Sequence, residues 1–326
     1  MKDAATRDAY GQALVELGAD DPRIVVLDAG VSDSSRSKKF GDKYPDRFFN
    51  MGIAEADMVC TAAGLATTGK IPFATGFACF LLGRTMDQVL VSVAYSNTNV
   101  KLVGTHTGLA VGEDGPSAQM IVDIAYMRAM PNMIVVQPAD WEETVQATRA
   151  LIDYEGPAYF RLGRPKVKAI FDSSYKFEIG KGRVVKKGSD LVIFATGIMV
   201  QESLKAMEML EKENINVTLV NISTLKPIDR ELITEMAASH KAVITAEDHN
   251  YIGGLGDAVG EVLLDAQISK SFKRVAVRDQ FAETGTGPEL FEKYGLSANH
   301  IAQTVRDRSE ERRVGKECRS QWSPYH

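Results

Sequence analysis

Short β-branched runs alternate with stretches of helical spacing along almost the whole chain, and this rhythm constrains the fold more than any single motif. Strands are predicted at 24–27, 101–104, 133–136 and 158–162, and again at 191–195, 217–222, 242–246 and 275–278. Helical spacing falls between them, at 54–67, 117–130 and 141–153, then at 201–213, 229–239 and 255–264. Strands alternating with helices in this way imply parallel sheets covered on both faces. Around 163–187 the pattern lapses into Pro, Lys, Gly and Ser, which reads as a linker. The expected fold is α/β, with two consecutive domains, each a mostly parallel sheet covered by helices, over 1–163 and 182–307, joined by 164–181. A length of 326 residues suits two domains.

Charge and composition then remove whole classes of function. Lys plus Arg total 38 against 43 Asp plus Glu, a net charge of −5, which is unsuited to electrostatically driven binding of nucleic acid or of a membrane surface. The longest uncharged apolar stretches, 71–83 and 88–100, fall short of the roughly 20 residues that a bilayer needs. The N-terminus lacks the apolar core of a secretory signal. Cys60, Cys79 and Cys318 have neither metal nor disulfide spacing, so a reducing cytoplasm is expected. From Arg308 to His326 the composition changes abruptly, with no helical or strand periodicity. That segment reads like a translated sequencing-adapter oligonucleotide, and 308–326 is expected to be a non-native tail.

Three segments carry candidate chemistry, each with a structural reading beside it. Glu55 opens a small, apolar helix. It is either a carboxylate favoured by the helix dipole or one held among apolar neighbours to exchange a proton with a heteroaromatic base. Phe77 and Phe80 stand at i,i+3 spacing, as core or as an aromatic wall for a flat ligand. The run Thr105-His106-Thr107-Gly108 through Gly112-Glu113-Asp114-Gly115-Pro116 directly follows a strand. Loops off the C-terminal ends of parallel strands are where such sheets bind ligands, and a solvated turn is the other reading. In the second half, Gly253-Gly254-Leu255-Gly256 lies between a strand and a helix but lacks the spacing and acidic partner of a dinucleotide fingerprint, so a plain helix entry is expected.

These segments together resemble transketolase. Gly52-Ile53-Ala54-Glu55, Phe77-x-x-Phe80 with Asp87-Gln88, Thr105-His106 with Gly112-Glu113-Asp114-Gly115, and Lys226-Pro227-Ile228-Asp229 look like that family's pyrimidine-binding and C-terminal domains, in that order, over about residues 5–305. No Gly-Asp-Gly followed by Asn, the family's magnesium and diphosphate motif, occurs. The chain therefore resembles the C-terminal subunit of a split, two-gene transketolase.

The resemblance implies a thiamine diphosphate enzyme that moves a two-carbon ketol unit between ketose and aldose phosphates. Glu55 would share a proton with the thiamine pyrimidine, Phe80 would stack on that ring, and Phe77 and Ile53 would complete the cofactor pocket. His106 would serve in catalysis and in substrate binding, with Asp114, Arg164 and Ser34 contacting sugar hydroxyls or phosphate. Magnesium would be held by a partner subunit carrying the diphosphate domain, in an α2β2 assembly, with no metal ligand on this chain.

Two positions depart from the family's pattern. Ala118 stands where a histidine is usual, and Ala29-Gly30-Val31 where Ala-Asp-Leu is common. Alanine can neither shuttle a proton nor bind a hydroxyl, so an altered donor or acceptor, or a slower enzyme, is expected. The β subunit of a 2-oxoacid dehydrogenase, a 1-deoxyxylulose 5-phosphate synthase fragment and a catalytically silent partner of a thiamine enzyme are the alternative readings.

Overall fold

The structure is a computed structural model that describes residues 2–320, the side chains from 310 onward excepted. The first part of the chain runs β1 (Ala4–Ala5), α1 (Thr6–Asp20), β2 (Ile24–Asp28), α2 (Ser32–Ser35), α3 (Lys38–Lys43) and β3 (Phe48–Asn50). It continues through α4 (Glu55–Thr67), β4 (Ile71–Phe77), α5 (Ala78–Gly83), α6 (Met86–Gln88), β5 (Lys101–Thr105), α7 (Asp123–Ala129), β6 (Ile134–Val136) and α8 (Trp141–Asp153). β7 (Ala158–Arg161) and β8 (Lys166–Val167) follow. The second part runs β9 (Arg183–Lys186), β10 (Leu191–Ala195), α9 (Met199–Glu211), β11 (Val217–Asn221), β12 (Thr224–Lys226), α10 (Arg230–Ser239) and β13 (Ala242–Asn250). It ends in α11 (Leu255–Asp265), β14 (Ser271–Val277), α12 (Gly287–Lys293) and α13 (Ala298–Ser320).

Two mostly parallel sheets result. One has the order β12-β6-β7-β5-β4-β2-β3 and the other β14-β13-β10-β11-β9. Only β12 against β6 and β9 against β11 run antiparallel within them. The central strands β2, β5, β10 and β11 are buried at every position, as expected of strands covered on both faces. One apolar cluster joins Val25, Leu102 and Val135 of the first sheet to Val192, Val220 and Val243 of the second, so the two sheets share a core.

Several local expectations are corrected. Residues 117–122 are not helical. Gly108 N donates to the Met120 carbonyl at 2.8 Å and holds that stretch in the loop, so α7 begins only at Asp123. The segment read as a linker starts by returning to the first domain, where β8 pairs with β1. β12 crosses from the second half of the chain onto the edge of the first sheet. The backbone of α13 is helical through Ser320, although 308–320 carries no helical periodicity in its sequence. Its Glu, Arg and Lys residues are good helix formers even without an apolar stripe. Residues 321–326 and the side chain of Cys318 lie outside the described residues.

Asp140 shows how one side chain ties the segment after β8 to the first domain. It caps α8 by accepting from Glu143 N at 2.9 Å, while its other oxygen accepts from Ile170 N and Phe171 N at 2.7 and 2.8 Å. Asp140→Ala removes the cap and strands two further amides, so it should cost roughly 2–4 kcal/mol in a urea titration. A loss below about 0.5 kcal/mol would mean that water replaces all three bonds.

Candidate active site

β4 ends at Phe77 and β5 at Thr105, and those residues pair in register. The rings at this sheet edge therefore meet. Phe77 stacks on His106 with centroids 3.8 Å apart, and on Phe80 of α5 at 5.8 Å. Glu55 opens α4 beside this column, where the helix dipole favours a carboxylate, and it is only 5% exposed. Arg84 Nη1 donates to its two oxygens at 3.1 and 3.3 Å, and the Arg84 guanidinium lies over the Phe80 ring at 4.7 Å. The Arg84 side chain is half exposed. Ile53, two residues before Glu55 in the chain, is 84% exposed. A buried carboxylate beside an aromatic face can hold a flat heteroaromatic ring by a hydrogen bond and by stacking. Among the described residues no group of three or more His, Cys, Asp or Glu is placed to hold a metal.

The same column leads into a basic basin. His106 adopts a left-handed backbone (φ 56°), the kind of strained conformation that gathers at ligand sites. Arg7 Nη1 donates to His106 Nε2 at 2.8 Å; a guanidinium has no acceptor, so Nε2 is unprotonated. The neutral ring then carries its proton on Nδ1, which donates to Thr105 Oγ1 at 3.0 Å, and that hydroxyl donates to the Gly76 carbonyl. Burial, then the charges of Arg7, Arg164 and Arg36, push the imidazole down to about 3. The unfolded chain therefore takes up this proton first. The contribution to stability is full above the ordinary value of 6.5 and is lost as the pH falls towards 3. The His106 C2 proton resonance should accordingly show no titration between about pH 5 and 8; a midpoint near the ordinary value would show an open, solvated ring.

The remaining expected residues assemble unevenly. Ser34 joins the basin through its carbonyl, which accepts from Arg7 at 2.9 Å. Arg164 donates to the Val111 carbonyl at 2.6 Å and lies 3.5 Å from Asp114 and 3.6 Å from Glu113, so Arg164 and Asp114 pair with each other here. Gly30 has a left-handed backbone (φ 78°), a conformation that glycine adopts without strain. Ala118 is buried. Sequence reasoning missed Arg7 and Arg36. Arg7 stands in the first turn of α1 with no motif around it, and only the packing of α1 beside α2 and the residue after β5 brings it to Ser34 and His106.

The glycine turn before α11 behaves as a plain helix entry. Glu247 accepts from Leu255 N and Gly256 N at 2.6 and 2.8 Å, filling with a protein carboxylate the place an external anion would take. A Cβ at Gly254 would fall 1.9 Å from that carboxylate.

Residues 2–169 match the transketolase pyrimidine-binding domain and 180–301 the transketolase C-terminal domain. The chain is 44% identical, over 92% of its own length and 94% of the other's, to a Methanocaldococcus jannaschii protein described as a transketolase C-terminal section. It is 39% identical to the 6-deoxy-6-sulfo-D-fructose transketolase subunit of a Clostridium species, over 93% of this chain and 94% of that one. A solved structure of a split-gene transketolase, an inactive beta4 tetramer, superposes with a TM-score of 0.87 at 47% identity, covering 93% of this chain and 98% of that one. These matches name transketolase rather than the dehydrogenase or synthase alternatives. The chain belongs to the transketolase family, as the C-terminal subunit of its split-gene form.

Proposed function

We propose that this chain supplies the pyrimidine half of a thiamine diphosphate site and the sugar-phosphate end of a two-carbon transfer site, with a diphosphate-domain subunit completing both. The observation that carries the proposal is the buried Glu55 carboxylate, linked through Arg84 to the stacked Phe80 and Phe77 rings. These residues fit the cofactor's ring. Glu55 would accept from and share a proton with it, Phe80 would cover its face, and Ile53 would limit access of water. Arg84 now satisfies the carboxylate and would swing aside. Thiamine diphosphate, when bound, supplies the carbon nucleophile that accepts a two-carbon ketol unit and hands it to an aldose.

The chain's other residues bind and orient. Arg7, bonded to His106, and Arg164 and Arg36, whose charges act on that ring, suit the phosphate end of a sugar, a task for planar guanidinium groups. Asp114 and His106 would meet sugar hydroxyls, with Ser34 at the phosphate. Magnesium would sit on the partner. Exposed Ile53, Leu90, Val91 and Tyr95 give the chain an apolar surface suited to burial against other subunits, in an α2β2 assembly. The inactive beta4 tetramer formed by a relative accords with self-association of this chain type and with a need for the other subunit.

Co-expression with a diphosphate-domain subunit, followed by assay of transfer from xylulose 5-phosphate to ribose 5-phosphate, tests the proposal. Turnover that needs both chains is expected. The basin also suits the sulfonate of a 6-deoxy-6-sulfo sugar, so that donor is assayed in parallel. Turnover with neither donor, in an assembly that holds the cofactor, would support a silent subunit instead.

A further inference from the structure

The second domain packs against the loop that leaves β5, and one of its buried carboxylates holds that loop's backbone. Asp248, near the end of β13, is 2% exposed, and its two carboxylate oxygens accept from Leu109 N at 2.8 Å and Ala110 N at 3.1 Å. Both amides belong to the loop that leaves β5 after His106. Gly108 is shaped by the same contact. Its φ is +72°, and a Cβ there would fall 2.0 Å from an Asp248 oxygen, so no larger residue lets the carboxylate approach. From the other side, Arg161 Nη2 donates to the Asp248 carbonyl at 3.1 Å and so fixes the backbone that carries the carboxylate. The next carbonyl along the loop, that of Val111, receives Arg164 at 2.6 Å.

We propose that Asp248 is a positioning residue for the transfer reaction. From the second domain it clamps the backbone at Leu109 and Ala110, and thereby sets the Val111 carbonyl that aims Arg164 into the basic basin. A buried carboxylate is costly unless it is hydrogen-bonded, and here the bonds it makes are charge-assisted and directed at one short turn. The inference rests on the reading of that basin as the sugar-phosphate site, and it gives the C-terminal domain a part in substrate binding as well as in folding.

The test uses the complex with the diphosphate-domain subunit, comparing Asp248→Asn, which keeps one acceptor oxygen, with Asp248→Ala, which keeps none. Amide exchange across 108–115 should rise in both, with thiamine diphosphate affinity unchanged. KM for the ketose phosphate should rise about tenfold in the asparagine variant and further in the alanine variant, with kcat changed less. Unchanged exchange in the loop, or an unchanged KM, overturns the proposal. So does faster exchange spread over both domains together with weaker cofactor binding, which would be the mark of a merely structural role. If the unaltered complex transfers no two-carbon unit, the sugar-phosphate reading of the basin fails, and the exchange measurement still decides whether Asp248 clamps the loop.

Discussion

Glu55→Gln should leave the chain folded and assembled while lowering turnover of the complex by about 10²–10⁴-fold, the range attributed to a single acid–base group. The expected size follows from what the substitution changes. Glutamine keeps the shape and can still accept one hydrogen bond, but it cannot share a proton with a ring nitrogen. The apolar and aromatic surroundings of Glu55 make that proton exchange more effective than it would be in water. Stability should move little. The ion pair that is lost involves a half-exposed Arg84, and such pairs contribute on the order of 1 kcal/mol or less. Unaltered turnover would remove Glu55 from the mechanism, and a large fall in Tm would assign it to the fold instead.

Arg161→Met should be the most destabilising single change at the junction between the domains, at about 3–5 kcal/mol. Arg161 is 1% exposed and Asp123 is completely buried. The guanidinium donates to both carboxylate oxygens, Nε at 2.7 Å and Nη2 at 3.1 Å, and Tyr159 adds a bond to the same carboxylate at 2.6 Å. Burial works to raise the Asp123 carboxyl, but the charge and hydrogen bonds of Arg161 overcome it and hold the group below the ordinary carboxylate range. Without the arginine, a charge is left buried with only His249, its Nε2 4.0 Å away, near enough to offset it. The Asp248 carbonyl also loses the Arg161 donor and the Met120 carbonyl keeps only Gly108 N, which loosens the two segments that flank the site. The double variant Arg161→Met with Asp123→Leu should recover much of the loss, because the desolvation cost disappears with the charges. A single-variant cost below about 1 kcal/mol in urea titration would show that water enters the junction and solvates the carboxylate.

How much of this was legible in the sequence depended on whether the determining contact was local. Strands such as β10 and β11 announce themselves through β-branched runs, and helices such as α8 through apolar spacing, because burial on both faces or on one imposes those patterns directly. Glu55, Phe77, Phe80 and His106 were legible because each sits next to a strand end or a helix start. The start of α7 was not: residues 117–122 have helical spacing, but the backbone of Met120 is claimed by Gly108 across the loop. The pairing of β12 with β6 and of β8 with β1 is equally non-local. Arg7 and Asp248 were invisible for the same reason. An arginine in the first turn of a helix and an acid at the end of a strand look ordinary until the fold brings them to His106 and to the Gly108 turn. Arg164 and Asp114 were each read as substrate contacts, and their mutual pairing appears only once the loop is folded back.

The central claim is that this chain holds half of a cofactor site. Calorimetric titration of thiamine diphosphate, with magnesium, into this chain alone, into the diphosphate-domain subunit alone, and into the two together tests it most directly. Saturable binding is expected only for the mixture, and it should weaken when the mixture contains Glu55→Gln. Binding by this chain alone as tight as by the mixture, or tight binding indifferent to Glu55, would contradict the account.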